Sequence, residues 1–338
     1  MDLLRHLHIG KVWKLLTVAL ILLVGAVNRV QAEPTRDDNC PTAHELGLPL
    51  SCWTDASVQP KAVVVLIHGL LLHAKSFDVL GKNLASQGFI VVAPDLRGCG
   101  RWRTPTSEYQ QSPKLDHERS CEDILAITHK MKAEYPGLPV FLVGESMGAA
   151  LAIHVGANQP ELINGLVLSS PAIKGQVAIL PKAVYSAMKL FSNPHREIDL
   201  STYVKHCSSD DPRVPQEIFN DPLARTGLSM RELLRSRNTV KQTLKLVSRI
   251  PPQVPVLVIQ GSADRTLKAN AVMLLLTRLR SVDQTVKWFP GRGHVLLETG
   301  YIQPVTEEVV ESWLSHQASL SRGYHSASVP QEHRHAME

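Results

Sequence analysis

The sequence predicts an α/β protein built on a mostly parallel sheet with helices on both faces. Three observations carry this. From Gly47 onward short apolar runs alternate with longer helical patterns. Ala62-Val63-Val64-Val65-Leu66-Ile67 is a continuous run rich in β-branched residues, as a strand buried on both faces requires. Between the fifth and sixth convincing strands the rhythm breaks for some 85 residues, far longer than an ordinary connection, which marks an insertion.

The elements follow in order. Leu48–Trp53 alternates weakly and reads as an outer strand, and Ala62–Ile67 is the first central one, ending at His68-Gly69-Leu70. Phe77–Gln87 is amphipathic and stops at Gly88, a residue suited to ending a helix. The strand Phe89–Ala93 then leads into the glycine-rich loop Asp95-Leu96-Arg97-Gly98-Cys99-Gly100. Leu115–Tyr135 reads as a long helix closed by Pro136-Gly137, and Val140–Val143 as a strand followed by Gly144-Glu145-Ser146-Met147-Gly148 and a helix. Gly165–Ser169 is a strand ending at Ser170-Pro171. Residues 172–250 form the insertion, read as a helical cap: apolar Val177–Phe191, an Asp/Pro-rich part around Asp210 and Asp221, and a basic helical stretch from Ser229 to Arg249. The sheet resumes with Val256–Ile259, a helix over Asn270–Arg280, the strand Thr285–Phe289 and a helix over Val305–Leu314. The polar stretch 319–338 lacks apolar periodicity and reads as a disordered tail, with His333 and His335 solvated rather than holding metal.

Composition narrows the classes. The chain has 338 residues, 44% hydrophobic and 20% charged, which is long enough for one large α/β domain with an insertion or for two domains. In residues 1–32, Arg5, Lys11 and Lys14 precede the apolar stretch Leu15–Val27, and Val30-Gln31-Ala32 offers small residues for cleavage. This is the pattern of a signal peptide and predicts a secreted or periplasmic protein, an uncleaved membrane anchor being the alternative. Without these residues 32 basic face 30 acidic side chains, a balance of +2. No basic stripe argues for nucleic acid. The cysteines Cys40, Cys52, Cys99, Cys121 and Cys207 all lie beyond residue 32, and Cys40 and Cys52 are near enough in sequence to staple the new N-terminus. An odd count leaves a thiol over, and the remaining connectivity stays open. With no C-x-x-C and no Cys/His cluster at metal spacing, the reading calls for no metal and no organic cofactor.

The chemistry centres on Ser146. Serine in the middle of G-x-S-x-G, between a strand and a helix, sits on a strained elbow that leaves the hydroxyl clear, and the Met147 amide opens the helix as an unpaired donor. A serine hydroxyl needs a histidine to take its proton and a carboxylate to orient that histidine. In this architecture they follow in the order acid, then histidine, each in a loop after a strand. Asp264, in Gln260-Gly261-Ser262-Ala263-Asp264, and His294, in Gly291-Arg292-Gly293-His294, stand in those places. Glu298 and Asp95 are the rival acids. Glu298, four residues past His294, is expected on a helix pointing away from the strand ends, and Asp95 is expected to pair with Arg97 and brace its own loop. The second oxyanion donor is expected from the Leu70 amide, with His68 a structural residue of that loop. Leu70, Leu71 and Leu72 with Met147 and the cap would wall an uncharged, partly aliphatic substrate.

These residues resemble the α/β-hydrolases, and within them the monoglyceride lipase and lysophospholipase-like branch with the serine aminopeptidase-like hydrolases. The resemblance runs from Gly47 to Leu314 through His68-Gly69, Gly144–Gly148, Ser170-Pro171, Asn220-Asp221-Pro222-Leu223, Gln260–Arg265 and Gly293-His294-Val295-Leu296. It implies an eight-stranded, mostly parallel sheet in a domain over 33–318, with Ser146, Asp264 and His294 as triad and Leu70 and Met147 as oxyanion donors. Two departures stand out: Glu145 where the family usually has histidine, and the apolar Leu70-Leu71-Leu72 where it is usually more polar. The expected activity is hydrolysis of a small acyl ester, such as a monoacylglycerol or lysophospholipid, with transient contact to a lipid surface through the cap. An acyltransferase, a small-peptide hydrolase or a silent binding protein on the same scaffold are the alternatives.

Overall fold

The computed structural model describes residues 33–104, 109, 112–173, 196–267 and 269–328. The proposed leader at 1–32, Val177–Phe191 and the two tail histidines lie outside the described residues. The chain opens with β1 (Thr35–Asp37), α1 (Pro41–Leu46), β2 (Leu50–Thr54), β3 (Ala62–Ile67), α2 (Asp78–Ser86) and β4 (Phe89–Pro94). It continues with α3 (His117–Glu134), β5 (Val140–Glu145), α4 (Met147–Asn158) and β6 (Gly165–Ser169). Then come β7 (Glu197–Asp199), α5 (Ser201–Cys207), α6 (Arg213–Asn220), β8 (Gly227–Ser229) and α7 (Met230–Leu246). The last elements are β9 (Val256–Gly261), α8 (Ala269–Arg278), β10 (Gln284–Phe289) and α9 (Pro304–Ser328).

Eight strands make one sheet in the order β1-β2-β4-β3-β5-β6-β9-β10. From β4 to β10 every pairing is parallel, and β1 and β2 are added antiparallel at one edge. This is the α/β-hydrolase fold. Alternation along the central strands splits the core in two. Val63, Val65, Ile67, Val140 and Leu142 face one cluster with α3 and α4, whereas Val64, Leu66, Phe141 and Val143 face another with α2 and α9. Burial on both faces is why these segments read as unbroken apolar runs rather than alternating ones.

The register places the chemistry. Ile67 pairs with Gly144, Glu145 with Ser169, Ser169 with Ile259 and Gly261 with Phe289. The loops leaving β3, β5, β6, β9 and β10 therefore emerge at one edge of the sheet, its carboxyl end, where open α/β sheets bind ligands.

Two local expectations change, and two others are met. β1 adds a short outer strand beyond the one expected at Leu48–Trp53, and Cys40 and Cys52 are joined by a disulfide beside it. Three thiols, Cys99, Cys121 and Cys207, stay unbonded. The final helix continues to Ser328, ten residues into the stretch expected to be a structureless tail, with Val310 and Leu314 seated in the core and Ala318 buried beyond them. The basic stretch expected to be helical from Ser229 is α7, and Ser229 caps it: its hydroxyl accepts the Glu232 amide while the Glu232 carboxylate accepts the Ser229 amide.

Candidate active site

β5 ends at Glu145, and Ser146 turns the chain into α4 with φ 54° and ψ −111°. A non-glycine residue at such a φ is strained by about 1–3 kcal/mol and persists only where its surroundings enforce it. Here both glycines of the motif enforce it. A Cβ on Gly148 would lie 1.8 Å from the Ile67 carbonyl oxygen, and one on Gly144 2.4 Å from the Gly148 carbonyl. Strand and helix thus approach so closely that only hydrogen fits between them. The Ser146 amide donates to Ser169 O at 2.9 Å and its carbonyl accepts from Ala172 N at 3.0 Å, so the elbow is pinned on both sides.

Asp264 and His294 converge on that serine. His294 Nε2 lies 2.8 Å from Ser146 Oγ, and His294 Nδ1 lies 2.8 Å from Asp264 Oδ2. Their loops are pressed together: a Cβ on Gly261 would fall 2.1 Å from Gly293 O. Asp264 Oδ1 accepts the amides of Thr266 at 2.7 Å and Leu267 at 2.9 Å, and Oδ2 also accepts Gln260 Nε2 at 2.7 Å. Burial alone would raise the Asp264 pKa, but the charge and hydrogen bond of His294, with the Leu267 amide and Gln260, outweigh it and hold the carboxyl below its usual range. For His294 burial opposes the charge, yet Asp264 and then Glu145 favour it more, and the imidazole is raised above its ordinary value.

The Met147 amide is the first of α4, and neither it nor the Leu70 amide has an acceptor among the described residues. Leu70 and Val240 of α7 pack on Met147, Ala150 and Ala172. Leu72 packs with Val204, Val214 and Ile218, with Leu71 alongside. The insertion is also bolted to the site loops, through Arg225 N to Leu71 O at 2.8 Å, His73 Nε2 to Asp221 Oδ2 at 2.6 Å and Gly293 N to Asp210 Oδ1 at 2.6 Å. Among the described residues no group of three or more His, Cys, Asp or Glu side chains could hold a metal ion.

His68 takes the structural place expected of it. Its Nε2 accepts Leu96 N at 2.9 Å, its Nδ1 lies 2.7 Å from Gly69 O, and burial pushes its pKa down to about 4. Asp95 braces its loop, but with Arg101 rather than Arg97: Arg101 Nε donates to it at 2.7 Å, while Arg97 forks onto Asp123. Gly98 and Gly100, with φ of 86° and 50°, curl the chain so that Arg101 returns over Asp95. The expectation for Glu298 is also corrected. No helix begins after His294; α9 starts only at Pro304, and Glu298 points inward, 3% exposed, with Oε1 accepting Gly69 N at 2.7 Å. The cause is Glu145, whose carboxylate accepts the Leu296, Leu297 and Glu298 amides and the Ser169 hydroxyl. These bonds tie the stretch 296–298 to the end of β5, beside the elbow.

The comparisons with known proteins come from the same region of the chain. Residues 58–299 match the family described as serine aminopeptidase, S33. A monoglyceride lipase of Mus musculus is 31% identical over 272 residues, covering 78% of this chain and 85% of that one. A monoacylglycerol lipase of Mycolicibacterium smegmatis is 27% identical over 264 residues, covering 78% and 91%. The crystal structure of a Paleococcus ferrophilus monoacylglycerol lipase superposes with a TM-score of 0.66 at 25% identity, covering 80% of this chain and 99% of that one.

Proposed function

Since the chain belongs to the serine aminopeptidase, S33 family and is a serine ester hydrolase, we propose that it cleaves a monoacylglycerol, a lysophospholipid or a similar single-chain acyl ester through Ser146, His294 and Asp264. The observation that carries this reading is the unbroken chain from Asp264 through His294 to Ser146, 2.8 Å at each step. His294 Nε2 takes the Ser146 proton as Oγ attacks the ester carbonyl carbon. The carbonyl oxygen takes the negative charge and is met by the Leu70 and Met147 amides. As the intermediate collapses, the carbon–oxygen bond to the alcohol breaks and His294 returns the proton to the departing alcohol. Water, giving its proton to the same nitrogen, then releases the acid from the acyl-enzyme. The pairing of Asp264 with an imidazole shifted upward suits this, because the imidazolium is the species that must be stabilised.

The apolar residues around Leu70, Met147 and Val240 favour an acyl chain over a peptide. We include export in the proposal: the leader-like first 32 residues and the Cys40–Cys52 bond both fit an oxidising compartment. The first test is reaction of the protein with an active-site fluorophosphonate and turnover of p-nitrophenyl esters from acetate to palmitate, beside aminoacyl p-nitroanilides. Ester turnover with a chain-length optimum is expected. Faster cleavage of the anilides would move the substrate class to peptides.

Contact with a lipid surface belongs to the same proposal and rests on α7. Arg231, Leu234, Arg235, Lys241 and Lys245 are exposed along it, while its one acidic residue, Glu232, is buried against Arg225 at 2.9 Å. Each cation near an anionic bilayer contributes about 1 kcal/mol of attraction. Arg231→Glu with Lys241→Glu is expected to weaken co-sedimentation with phosphatidylserine-containing vesicles by about tenfold or more and to leave turnover of p-nitrophenyl butyrate unchanged. Equal sedimentation of variant and wild type would remove the cap from this role.

A further inference from the structure

The loop that carries the Leu70 amide is held from both sides by buried side chains. On one side is His68. Because its Nε2 accepts the Leu96 amide, the ring proton sits on Nδ1 and is donated to Gly69 O at 2.7 Å. In a trans peptide the carbonyl and the following N–H point in opposite directions, so this bond turns the Leu70 N–H away from the His68 ring. On the other side is Glu298, which accepts the N–H of the preceding peptide, Gly69 N, at 2.7 Å. Gly69 is thereby fixed at both of its backbone polar groups. It also lies between Glu298 and the nucleophile: a Cβ on Gly69 would be 3.5 Å from each Glu298 carboxyl oxygen and 3.5 Å from Ser146 Cβ. Glu298 does not float, since its own amide is held by Glu145 Oε2 at 3.0 Å, and Glu145 belongs to the strand that ends at the elbow.

We propose that Glu298 is a positioning residue for the oxyanion side of the site, anchoring the Gly69 amide so that the Leu70 N–H keeps the direction in which it meets the substrate oxygen. The proposal rests on the hydrolytic reading of Ser146 above. Its logic is that of a relay of fixed backbone: Glu145 fixes the stretch 296–298, Glu298 fixes Gly69, and His68 fixes the next peptide. The nucleophile strand, the histidine loop and the oxyanion loop thus share one buried network. Burial first, and then the neighbouring charge of Glu145, raise the Glu298 carboxyl well above its usual range. Its second oxygen is buried with no partner among the described residues. Glutamine is the conservative replacement, because it keeps an oxygen acceptor for Gly69 N in a side chain of the same shape. Leucine is the informative one, because it fills the same buried space without an acceptor.

The test compares Glu298→Gln and Glu298→Leu with wild type on p-nitrophenyl butyrate, together with hydrogen–deuterium exchange of the 66–72 peptide. Loss of an oxyanion donor costs about 10²–10³ in kcat, and a donor misdirected rather than lost should cost less, about 10–10². The expected result is a drop of that size in kcat for the leucine variant with KM within about threefold, faster exchange at 66–72, and near-normal values of all three for the glutamine variant. A role confined to stability would lower the melting temperature of both variants and leave kcat per folded molecule intact, and that result overturns the proposal. So would unchanged exchange at 66–72 in the leucine variant. Absence of ester turnover in the wild type would count against the hydrolytic reading instead, and the exchange measurement would still decide whether Glu298 holds the loop.

Discussion

Replacing Ser146 with alanine is expected to lower kcat for ester hydrolysis by at least about 10³-fold and to abolish fluorophosphonate labelling, with the folded structure retained. The size follows from the division of labour in the site. The Oγ atom is the one that bonds to the acyl carbon, and removing it leaves the oxyanion donors and the binding surface to act on water alone. Retention of the fold follows from what holds the elbow. Its hydroxyl hydrogen-bonds His294 Nε2, whereas the turn itself is set by the Gly144 and Gly148 contacts and by backbone bonds from Ser146 to Ser169 and Ala172. Alanine loses the first and keeps all of the others. A positive φ is no harder for alanine than for serine, so the strain of the turn is unchanged. Near-identical circular dichroism and melting temperature should accompany the lost activity. Turnover that survives in a well-folded variant would place the nucleophile elsewhere and remove the mechanism.

Most of what places Ser146, Asp264 and His294 was legible in the sequence because each stands where the backbone imposes a residue type. Gly144 and Gly148 are glycine because a methyl would enter a neighbouring backbone, and Gly261 is glycine because β9 lies against the His294 loop. Such positions write a local signal. The strands were legible for a similar reason, since burial on both faces leaves little freedom of composition. What stayed illegible depends on partners far away in the chain. Glu145 and the amides of Leu296, Leu297 and Glu298 are about 150 residues apart, and a glutamate four residues past a histidine reads as a helix residue unless that partner is known. Asp95 has two arginines close by in sequence, and the choice of Arg101 over Arg97 is made by two left-handed glycines together with Asp123 on α3. The buried Arg225–Glu232 pair likewise looks, in sequence, like two surface charges of a basic stretch. Two signals did exist: a carboxylate inside an otherwise apolar elbow, and a second within an apolar run after the histidine.

The exchange of Asp264 for asparagine should be nearly as damaging as loss of the nucleophile, with kcat falling by roughly 10³–10⁴-fold, because it sets the wrong proton on His294. The surroundings of the carboxyl decide which way an asparagine would sit. Oδ1 of Asp264 accepts two backbone amides, Thr266 at 2.7 Å and Leu267 at 2.9 Å, so an amide side chain keeps its oxygen there and turns its nitrogen toward His294 Nδ1. That nitrogen donates. Nδ1 must then accept, the ring proton moves to Nε2, and Nε2 can no longer take the proton of Ser146 2.8 Å away. The same nitrogen would meet the donating Nε2 of Gln260, so the Asp264–Gln260 hydrogen bond is lost in the variant as well. The pH profile gives an independent reading. Asp264 raises the His294 pKa, and the base must be neutral to act, so in the wild type activity falls as pH drops through that raised value. With the carboxylate charge removed the imidazole holds its proton less tightly, and the acid limb of the residual activity should shift to lower pH. Glu298→Gln, which leaves Asp264 in place, should keep both its rate and its acid limb. A greater loss in Glu298→Gln than in Asp264→Asn would transfer the role of the acid to Glu298.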